Sequence, residues 1–263
     1  MDKLTIKTDE EIKIMTEGGC FLGEIRNRLA DAVEPGMKTM MLEKLACEMI
    51  DKTGGKASFK LVPGYHHATC ININEVVVHG IPGDRVINDG DKVGIDVGLF
   101  YKGFHTDTSV TVMANHNPQN INHKLQRFLD VGKEGLYKAI KMAKPGKRVA
   151  DISKAMQETV EAAGYSAVTA LTGHGIGRNL HEEPPIPCFE VGKYENSPIL
   201  VENMVIAIEI MYNEGTADVV YENDDGWTIA TADGKISGLF EHTVAVARSG
   251  PVILTGHFKD QNE

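Results

Sequence analysis

The chain has 263 residues, of which 42% are hydrophobic and 24% are charged, and this composition is ordinary for a globular protein. Its formal charge of −10 argues against a nucleic-acid-binding surface, which usually carries a basic patch. No apolar run approaches the length of a membrane span and the N-terminus lacks the pattern of a signal peptide, so we expect a cytoplasmic protein that binds neither nucleic acid nor membrane.

Two helix pairs are predicted along the chain. Apolar residues recur at helical spacing over residues 11–33, and an amphipathic run covers residues 41–51. The same order returns later, with helical spacing over residues 125–140 and an amphipathic run over residues 152–162. The sequence therefore predicts a first and a second helix pair of similar design.

The two pairs are separated by a constant interval. A Pro-Gly break precedes the second helix of each pair, and 110 positions separate Pro35 from Pro145 as well as Gly54 from Gly164. A fixed spacing without gaps is stronger evidence for a repeat than either match alone. We predict two similar halves, at about residues 10–115 and 120–250.

Strand-like segments follow each helix pair. Residues 93–97 and 110–112 flank a turn at residues 101–103 and predict a β-hairpin. Residues 205–211 and 243–246 supply the matching strands of the second half. Because no Ser- or Pro-rich linker separates the halves, we predict one α+β domain built around a shared sheet.

Acidic residues in strand-like surroundings combine with a glycine-rich segment. Residues 173–177 read Gly-His-Gly-Ile-Gly, which suits a loop or strand end where a metal or substrate approaches the backbone. Four acids lie in or beside apolar strands, where an unpaired ionised carboxylate would cost several kcal/mol. Each acid taken singly is also explained by ion pairing or by exposure on one face. Together with His174 they indicate a metal site, and they are Asp96, Asp107, Glu209 and Glu241.

The predicted ligands indicate the kind of metal and its chemistry. Carboxylates with one imidazole suit hard or borderline divalent ions such as Mn, Fe, Co or Zn. Four carboxylates exceed what one catalytic ion usually takes, whereas bridging carboxylates could hold two ions roughly 3.5–4 Å apart with a water between them. Such ions lower the pKa of the bound water to around 7 and polarise a carbonyl oxygen. The residues alone therefore favour metal-assisted hydrolysis.

Ordered motifs cover nearly the whole chain. They lie at residues 74–82, 95–97, 103–109, 173–184 and 241–243. This series resembles that of the type I methionine aminopeptidases, which belong to family M24. The resemblance extends from about residue 8 to residue 255. It implies the creatinase-like, or pita-bread, fold, with two pseudo-symmetric halves whose helices pack on a curved antiparallel β-sheet, and a single catalytic domain over residues 1–263.

The resemblance implies a role for each predicted metal ligand. Asp96 would chelate one of two divalent ions, while Asp107 and Glu241 would bridge both. His174 and Glu209 would complete the shell of the second ion. The ions would be Co, Mn, Fe, Zn or Ni. A hydroxide bridging them would attack the first peptide carbonyl, with Glu209 as the proton shuttle.

The same resemblance implies the activity and the substrate contacts. The enzyme would remove the initiator methionine from nascent proteins whose second residue is small. His181 would hold the carbonyl oxygen or the developing oxyanion, and His79 would contact the peptide near the scissile bond. Tyr65, Cys70 and Trp227 would contact the substrate near its methionine. The partners would be peptide or nascent-protein N-termini, with a transient ribosome contact, and we expect a monomer.

Several positions depart from the family pattern. Ile210 replaces a usual proline, Leu239-Phe240 replaces a usual Gln-Tyr pair, and Leu180 stands where phenylalanine is frequent. The loop over residues 62–70 is shorter than in typical bacterial relatives and lacks a second tyrosine. Several of these positions are expected to line the methionine pocket. They bear on methionine selectivity and leave the predicted metal ligands unchanged.

The remaining histidines have simpler interpretations. His105 and His242 stand beside predicted ligands on strands, so the alternation of side chains should turn them to the opposite face of the sheet. His66 and His67 fall in a glycine-containing loop, where they either line the site or stay exposed.

Two other functions fit part of the pattern. One is a hydrolase of the same fold that acts before or after proline, although such relatives generally carry an additional N-terminal domain. The other is a catalytically inactive relative that only binds peptides or proteins, although such proteins tend to lose ligands and this chain keeps all five.

Overall fold

The first helix pair opens the chain. The computed structural model describes residues 4–116 and 122–256. Helix α1 (Asp9–Asp31) begins behind Thr8, whose hydroxyl accepts from the Glu11 amide while the Glu11 carboxylate accepts from the Thr8 amide. This capping box satisfies two amides that lack a partner inside the helix. Helix α2 (Thr39–Thr53) ends at Gly54, so both predicted helices are confirmed with slightly different ends.

A second helix pair follows. Helix α3 (His123–Ile140) is capped by the Asn122 side chain, which accepts from the amide of Leu125. Helix α4 (Val149–Ala162) follows the Pro-Gly turn at residues 145–146 and packs against α3. None of the helices within residues 4–116 and 122–256 combines the length and apolarity needed to cross a membrane.

Equivalent turns of the two helix pairs share their backbone conformation. Gly36 and Gly146 have φ of 90° and 85°, and Gly54 and Gly164 have φ of 75° and 86°. An added Cβ would meet no atom within 4 Å at any of these positions, so backbone conformation and not space requires glycine there. The turn geometry therefore repeats at the interval found in the sequence.

Thirteen strands are present in the described part of the chain. They are β1 (Lys56–Ala57), β2 (Thr69–Ile73), β3 (Val76–Val78), β4 (Lys92–Tyr101), β5 (Phe104–Met113), β6 (Ser166–Ala167), β7 (Thr172–Gly175), β8 (Glu182–Pro187), β9 (Val205–Asn213), β10 (Val219–Tyr221), β11 (Ile229–Thr231), β12 (Ser237–Ala247) and β13 (Gly250–Ile253).

Ten of these strands form one antiparallel sheet. Its order is β1-β4-β5-β12-β9-β7-β8, with β2 paired to β4, β6 to β9 and β13 to β12. Strands β4 and β5 form the predicted hairpin through a two-residue turn in which Lys102 and Gly103 have φ of 48° and 94°. Positive φ at both turn residues matches the twist of a tight hairpin. A smaller sheet has the order β10-β11-β3.

The helices cover one face of the large sheet. Helix α1 packs on β4 and β5, and α3 packs on β9 and β12. The first helix pair encloses one apolar cluster that includes Leu22, Leu42 and Ile95, and the second encloses another that includes Phe128 and Ile208. The predicted α+β class is confirmed, and the opposite face of the central strands is left for polar side chains.

Candidate metal centre and substrate cavity

A row of polar side chains crosses five neighbouring strands. Cys70 on β2 pairs with Asp96 on β4, Asp96 pairs with Ser109 on β5, Ser109 pairs with Glu241 on β12, and Glu241 pairs with Glu209 on β9. Directly opposed residues of antiparallel strands point to the same face of a sheet. Register alone therefore brings three of the four predicted acids into one line.

The other two predicted ligands lie beside this row. Asp107 precedes Ser109 by two residues and so shares its face, and His174 extends from β7, the strand beyond β9. Donor atoms of Asp107, His174 and Glu241 all lie within 4.8 Å of one another. The His174 Nε2 atom is 3.9 Å from Oε1 of Glu209. The sheet therefore gathers five side chains that are far apart in sequence.

The clustered carboxyls strongly disfavour being ionised together. Burial raises the pKa of Asp96 to about 7. Burial also raises the pKa of Asp107, Glu209 and Glu241 well above the usual value, and neighbouring carboxylates of the cluster add to this effect. A cation bound among these carboxylates would offset their mutual repulsion.

The donor set fits a divalent cation. The Oδ1 atom of Asp96 is buried and has no hydrogen-bond partner in the described part of the chain. A buried carboxylate oxygen normally has a partner, so this atom has unused capacity for a ligand. Carboxylate oxygens with one imidazole nitrogen suit hard or borderline divalent ions.

The orientation of His174 suits metal binding. Its Nδ1 atom lies 2.8 Å from the carbonyl oxygen of Gly175. Because a carbonyl only accepts, Nδ1 carries the proton and Nε2 presents its lone pair toward Glu209. Burial, followed by the nearby His181, lowers the pKa of His174 to about 3, so the ring is neutral at pH 7. A neutral, oriented imidazole is the form that binds a metal.

A cavity of about 110 Å³ opens over these side chains. All ten predicted site residues line it: Tyr65, Cys70, His79, Asp96, Asp107, His174, His181, Glu209, Trp227 and Glu241. The cavity therefore brings the acidic cluster together with aromatic and apolar side chains that are distant from it in the sequence.

One end of the cavity is apolar and aromatic. The Tyr65 hydroxyl donates to the carbonyl of Thr69 at 2.8 Å, and the Tyr65 ring meets Trp227 edge-on with centroids 5.1 Å apart. Phe59, Val62 and Val78 also line this end, and the sequence analysis did not single them out. They are ordinary apolar residues whose pattern carries no mark of a site.

His79 and His181 lie at different parts of the cavity. His79 follows β3 with φ of 58°, a left-handed conformation that is uncommon outside glycine, and burial lowers its pKa. The ring of His181 lies 4.5 Å from that of His174, centroid to centroid, and burial lowers its pKa as well. Both imidazoles can donate one hydrogen bond while neutral.

Comparison with known proteins agrees with this geometry. Residues 13–248 match metallopeptidase family M24. The chain belongs to this family. The methionine aminopeptidase of Clostridium perfringens is 41% identical over 252 residues, which cover 96% of this chain and 98% of that relative. Methionine aminopeptidase 1 of Bacillus subtilis is 40% identical over 249 residues, covering 95% and 98%.

Solved structures of other enzymes share the fold. The methionine aminopeptidase of Thermotoga maritima superposes with a TM-score of 0.91 at 38% identity, covering 97% of this chain and all of that one. The prolidase of Pyrococcus furiosus superposes with a TM-score of 0.74 at 23% identity, covering 95% of this chain and 65% of that one. The predicted pita-bread fold and the resemblance to methionine aminopeptidases are confirmed.

Backbone packing explains the two glycines that flank His174. The segment forms strand β7, and a Cβ on Gly173 would lie 2.5 Å from the carbonyl oxygen of Ala207. A Cβ on Gly175 would collide with the backbone of Glu183. The space beside these two glycines is therefore taken by the protein's own backbone, and the run lies at a strand end, as expected.

The other histidines avoid the cavity. His242 Nδ1 contacts the Thr255 hydroxyl at 2.8 Å and the Arg26 guanidinium of α1, so this side chain lies on the helix-covered side of its strand, as predicted. His105 stands two residues before Asp107 and therefore shares its face of the sheet, where its Nδ1 contacts the Ser58 hydroxyl at 2.9 Å. The prediction that His105 turns to the opposite face is wrong. His66 and His67 do not line the cavity.

Only some of the positions that depart from the M24 pattern line the cavity. Leu180 lines the cavity, as do members of the shortened loop. Ile210, Leu239 and Phe240 are fully buried and do not line it. Ile210 and Phe240 pair across β9 and β12 and face helix α3, so the expectation that several departures reach the pocket holds only for Leu180 and the shortened loop.

Proposed function

We propose that this protein is a methionine aminopeptidase that removes the initiator methionine from nascent proteins whose second residue is small. The observation that carries the proposal is the row of acids with His174 beside it, set on a cavity with an aromatic end. Near-full-length similarity to methionine aminopeptidases supports the same activity.

The metal centre is proposed to hold two divalent ions, of Co, Mn, Fe, Zn or Ni. Asp96 would bind one ion, Asp107 and Glu241 would bind both, and His174 with Glu209 would complete the second site. Bound there, the ions would supply an acidified water and an electrophile for the peptide carbonyl. The raised pKa values of the acids support this assignment, because a cation is what makes their joint ionisation favourable.

Three side chains are proposed to act on the reacting peptide. Glu209 accepts the proton of the attacking water and carries it toward the departing amine. His181 donates a hydrogen bond to the carbonyl oxygen as its negative charge grows, an effect worth roughly 2.7–4 kcal/mol for one such donor. His79 contacts the peptide near the scissile bond and assists proton transfer.

The aromatic end of the cavity is proposed to hold the methionine side chain. Tyr65, Cys70 and Trp227 would contact it, with Leu180 closing the same space. An unbranched thioether suits a narrow cavity bounded by aromatic edges.

Several wider properties accompany the proposed activity. The substrates would be N-termini of peptides and nascent proteins, which implies a transient contact with the ribosome. We propose a cytoplasmic monomer whose residues 1–263 form one catalytic domain. Its pseudo-repeat halves would span about residues 10–115 and 120–250, as the matching turn glycines support.

Peptide hydrolysis with defined metals tests this proposal. Protein loaded with each metal in turn should release methionine from Met-Ala-Ser, and should act far less on Leu-Ala-Ser or on X-Pro peptides. Glu209→Gln should lower kcat by about 10²–10⁴-fold because it removes the proton carrier. Glu202→Gln is the matched control, since Glu202 is exposed. Failure to release methionine with any divalent metal, or preference for X-Pro peptides, would refute the proposal.

A further inference from the structure

The segment that precedes helix α1 is fastened to the loop that carries His181. The Lys7 amide donates to the carbonyl of Asn203 at 3.0 Å, which holds residues 4–8 along the protein surface. The Lys7 side chain turns inward and its ammonium lies 2.7 Å from Oε2 of Glu182. Both side chains are only 3% exposed. Lys and Glu side chains are rarely this well buried unless they are paired and hydrogen-bonded.

Three donors converge on the Glu182 carboxylate. Besides Lys7, the Thr5 hydroxyl donates to Oε2 and the Asn179 amide donates to Oε1 at 3.1 Å. Lys7 also fills the space beside Gly177, where an added Cβ would collide with the lysine side chain. The lysine side chain therefore lies against both ends of the short loop between Gly177 and Glu182, and its ammonium bonds the Glu182 end.

The fastened carboxylate belongs to the residue next to His181. No hydrogen bond to the His181 imidazole is formed by the residues that the structure describes. Its position therefore follows from the backbone at Glu182, which is held both by pairing with Gly175 of strand β7 and by the side-chain contact with Lys7. The pairing places the imidazole against His174, which belongs to the metal centre.

We propose that Lys7 is a positioning residue, which acts through Glu182 to hold His181 within reach of the substrate's carbonyl oxygen. The inference rests on the proposed function. It makes a segment remote from the chemistry in sequence contribute to the rate of turnover. Methionine binding and metal binding do not depend on it, because neither Lys7 nor Glu182 lines the cavity.

A double-mutant cycle separates this role from a general structural one. Lys7→Met should lower kcat for Met-Ala-Ser about tenfold, because a displaced donor stabilises the oxyanion less well. KM should stay within about twofold, since the donor acts in the transition state. In a His181→Ala background the same substitution should change kcat by less than about twofold, because the residue it positions is gone. Lys7→Arg should restore most of the activity.

Two measurements do not rely on turnover. Calorimetric titration with Mn²⁺ should give the same affinity for Lys7→Met as for the unchanged protein. The imidazole signals of His181 in NMR spectra, assigned by their loss in His181→Ala, should shift or broaden in Lys7→Met. Lys13→Met is the control for both, because Lys13 is 77% exposed and pairs with Glu10 at the surface.

The outcomes distinguish a positioning role of Lys7 from a general structural role. An equal loss of kcat with and without His181, or unchanged His181 signals in Lys7→Met, would overturn the inference. If Lys7→Met does not fold, Glu182→Gln provides the same test, since it keeps the side-chain shape and removes the charge. If the unchanged protein releases no methionine with any metal, the proposed function fails, while the NMR signals still decide whether Lys7 positions His181.

Discussion

One buried cation, Arg26, lies on the helix-covered side of the sheet, behind the acidic site. The Arg26 guanidinium on α1 donates to the Thr108 hydroxyl at 2.8 Å and lies 3.2 Å from Nδ1 of His242. Because a guanidinium only donates, Nδ1 of His242 is unprotonated. Burial, with the Arg26 charge, lowers the pKa of His242 to about 3. This histidine is therefore a neutral acceptor that holds α1 to the strand carrying Glu241.

Lys92 is a second buried cation, and among the described residues its ammonium contacts no acid. Its ammonium donates to the carbonyls of Asn72 and Val76 at 3.1 and 2.9 Å, and only 1% of the residue is exposed. Burial lowers its pKa to about 7, against 10.5 ordinarily. The unfolded chain therefore binds the Lys92 proton more tightly than the native protein does.

Removing the Lys92 charge should stabilise the fold. Lys92→Met should raise the free energy of unfolding at pH 7 by roughly 1–4 kcal/mol, since a buried charge is replaced by an apolar group. The native pKa is depressed, so stability of the unchanged protein rises as pH increases from about 7 toward 10. Denaturant unfolding at several pH values should show the advantage of the variant shrinking over that range.

The control for this prediction is Lys52→Met at the end of α2, where the side chain is exposed. It should change the free energy of unfolding by no more than about 0.5 kcal/mol at any of these pH values. A pH-independent advantage for Lys92→Met, or a loss of stability at pH 7, would show that the buried ammonium is not what costs stability.

Close packing of helix α3 depends on its glycines, but not equally. A Cβ on Gly132 would collide with the hydroxyl of Tyr212 and lie 2.7 Å from the Phe240 ring. The Tyr212 ring is fixed, because it stacks on Phe128 and its hydroxyl donates to the Phe128 carbonyl. A Cβ on Gly135 would instead meet the tip of the flexible Ile210 side chain at 2.5 Å.

Two alanine substitutions one helical turn apart should therefore differ. Gly132→Ala should lower the free energy of unfolding by roughly 1–3 kcal/mol, because the rigid ring cannot move without repacking. Gly135→Ala should be nearly neutral, since Ile210 can rotate and alanine favours the helix by up to about 1 kcal/mol. Denaturant unfolding of both variants tests this, and equal losses would contradict the rigidity of Tyr212.

The sequence predicts the helices and strands whose residues recur with a regular period. The helix pairs, the hairpin and the position of the acids in strands follow from spacing, and the register of those strands then aligns Asp96, Glu241 and Glu209. The Lys7–Glu182 pair could not be foreseen, because its members are 175 positions apart and no pattern links them. The role of glycine in β7 was missed for the same reason, since it depends on which backbone lies alongside.

Both halves of the molecule contribute to the metal centre. Asp96 and Asp107 come from the hairpin of the first half, whereas His174, Glu209 and Glu241 come from strands of the second. Bound cations would therefore join the halves across the centre of the sheet. Anything that binds the native state and not the unfolded chain stabilises the whole fold, by about 2.7 kcal/mol at a hundred times the Kd.

This stabilisation by metal should grow with pH. The site acids have raised pKa values in the metal-free protein, so the native state holds protons that the unfolded chain has released above about pH 4. Stability of the metal-free protein due to these groups therefore falls as pH rises toward their native pKa values. A cation binds the ionised carboxylates and must displace their protons. Its affinity for the native protein therefore increases as pH rises over the same range.

Calorimetric Tm values in chelator and in excess Mn²⁺, at pH 6.5 and pH 8, measure this effect. Titratable groups away from the site affect Tm equally in chelator and in excess Mn²⁺, so their contribution cancels in the difference between the two Tm values. The pH dependence of that difference is therefore due to the clustered acids. The metal-dependent rise in Tm should be larger at pH 8, and Glu241→Gln should reduce both the rise and its pH dependence. A rise of equal size at both pH values would mean that the acids are already ionised without the metal, because only protons that must leave can make the binding of a cation depend on pH.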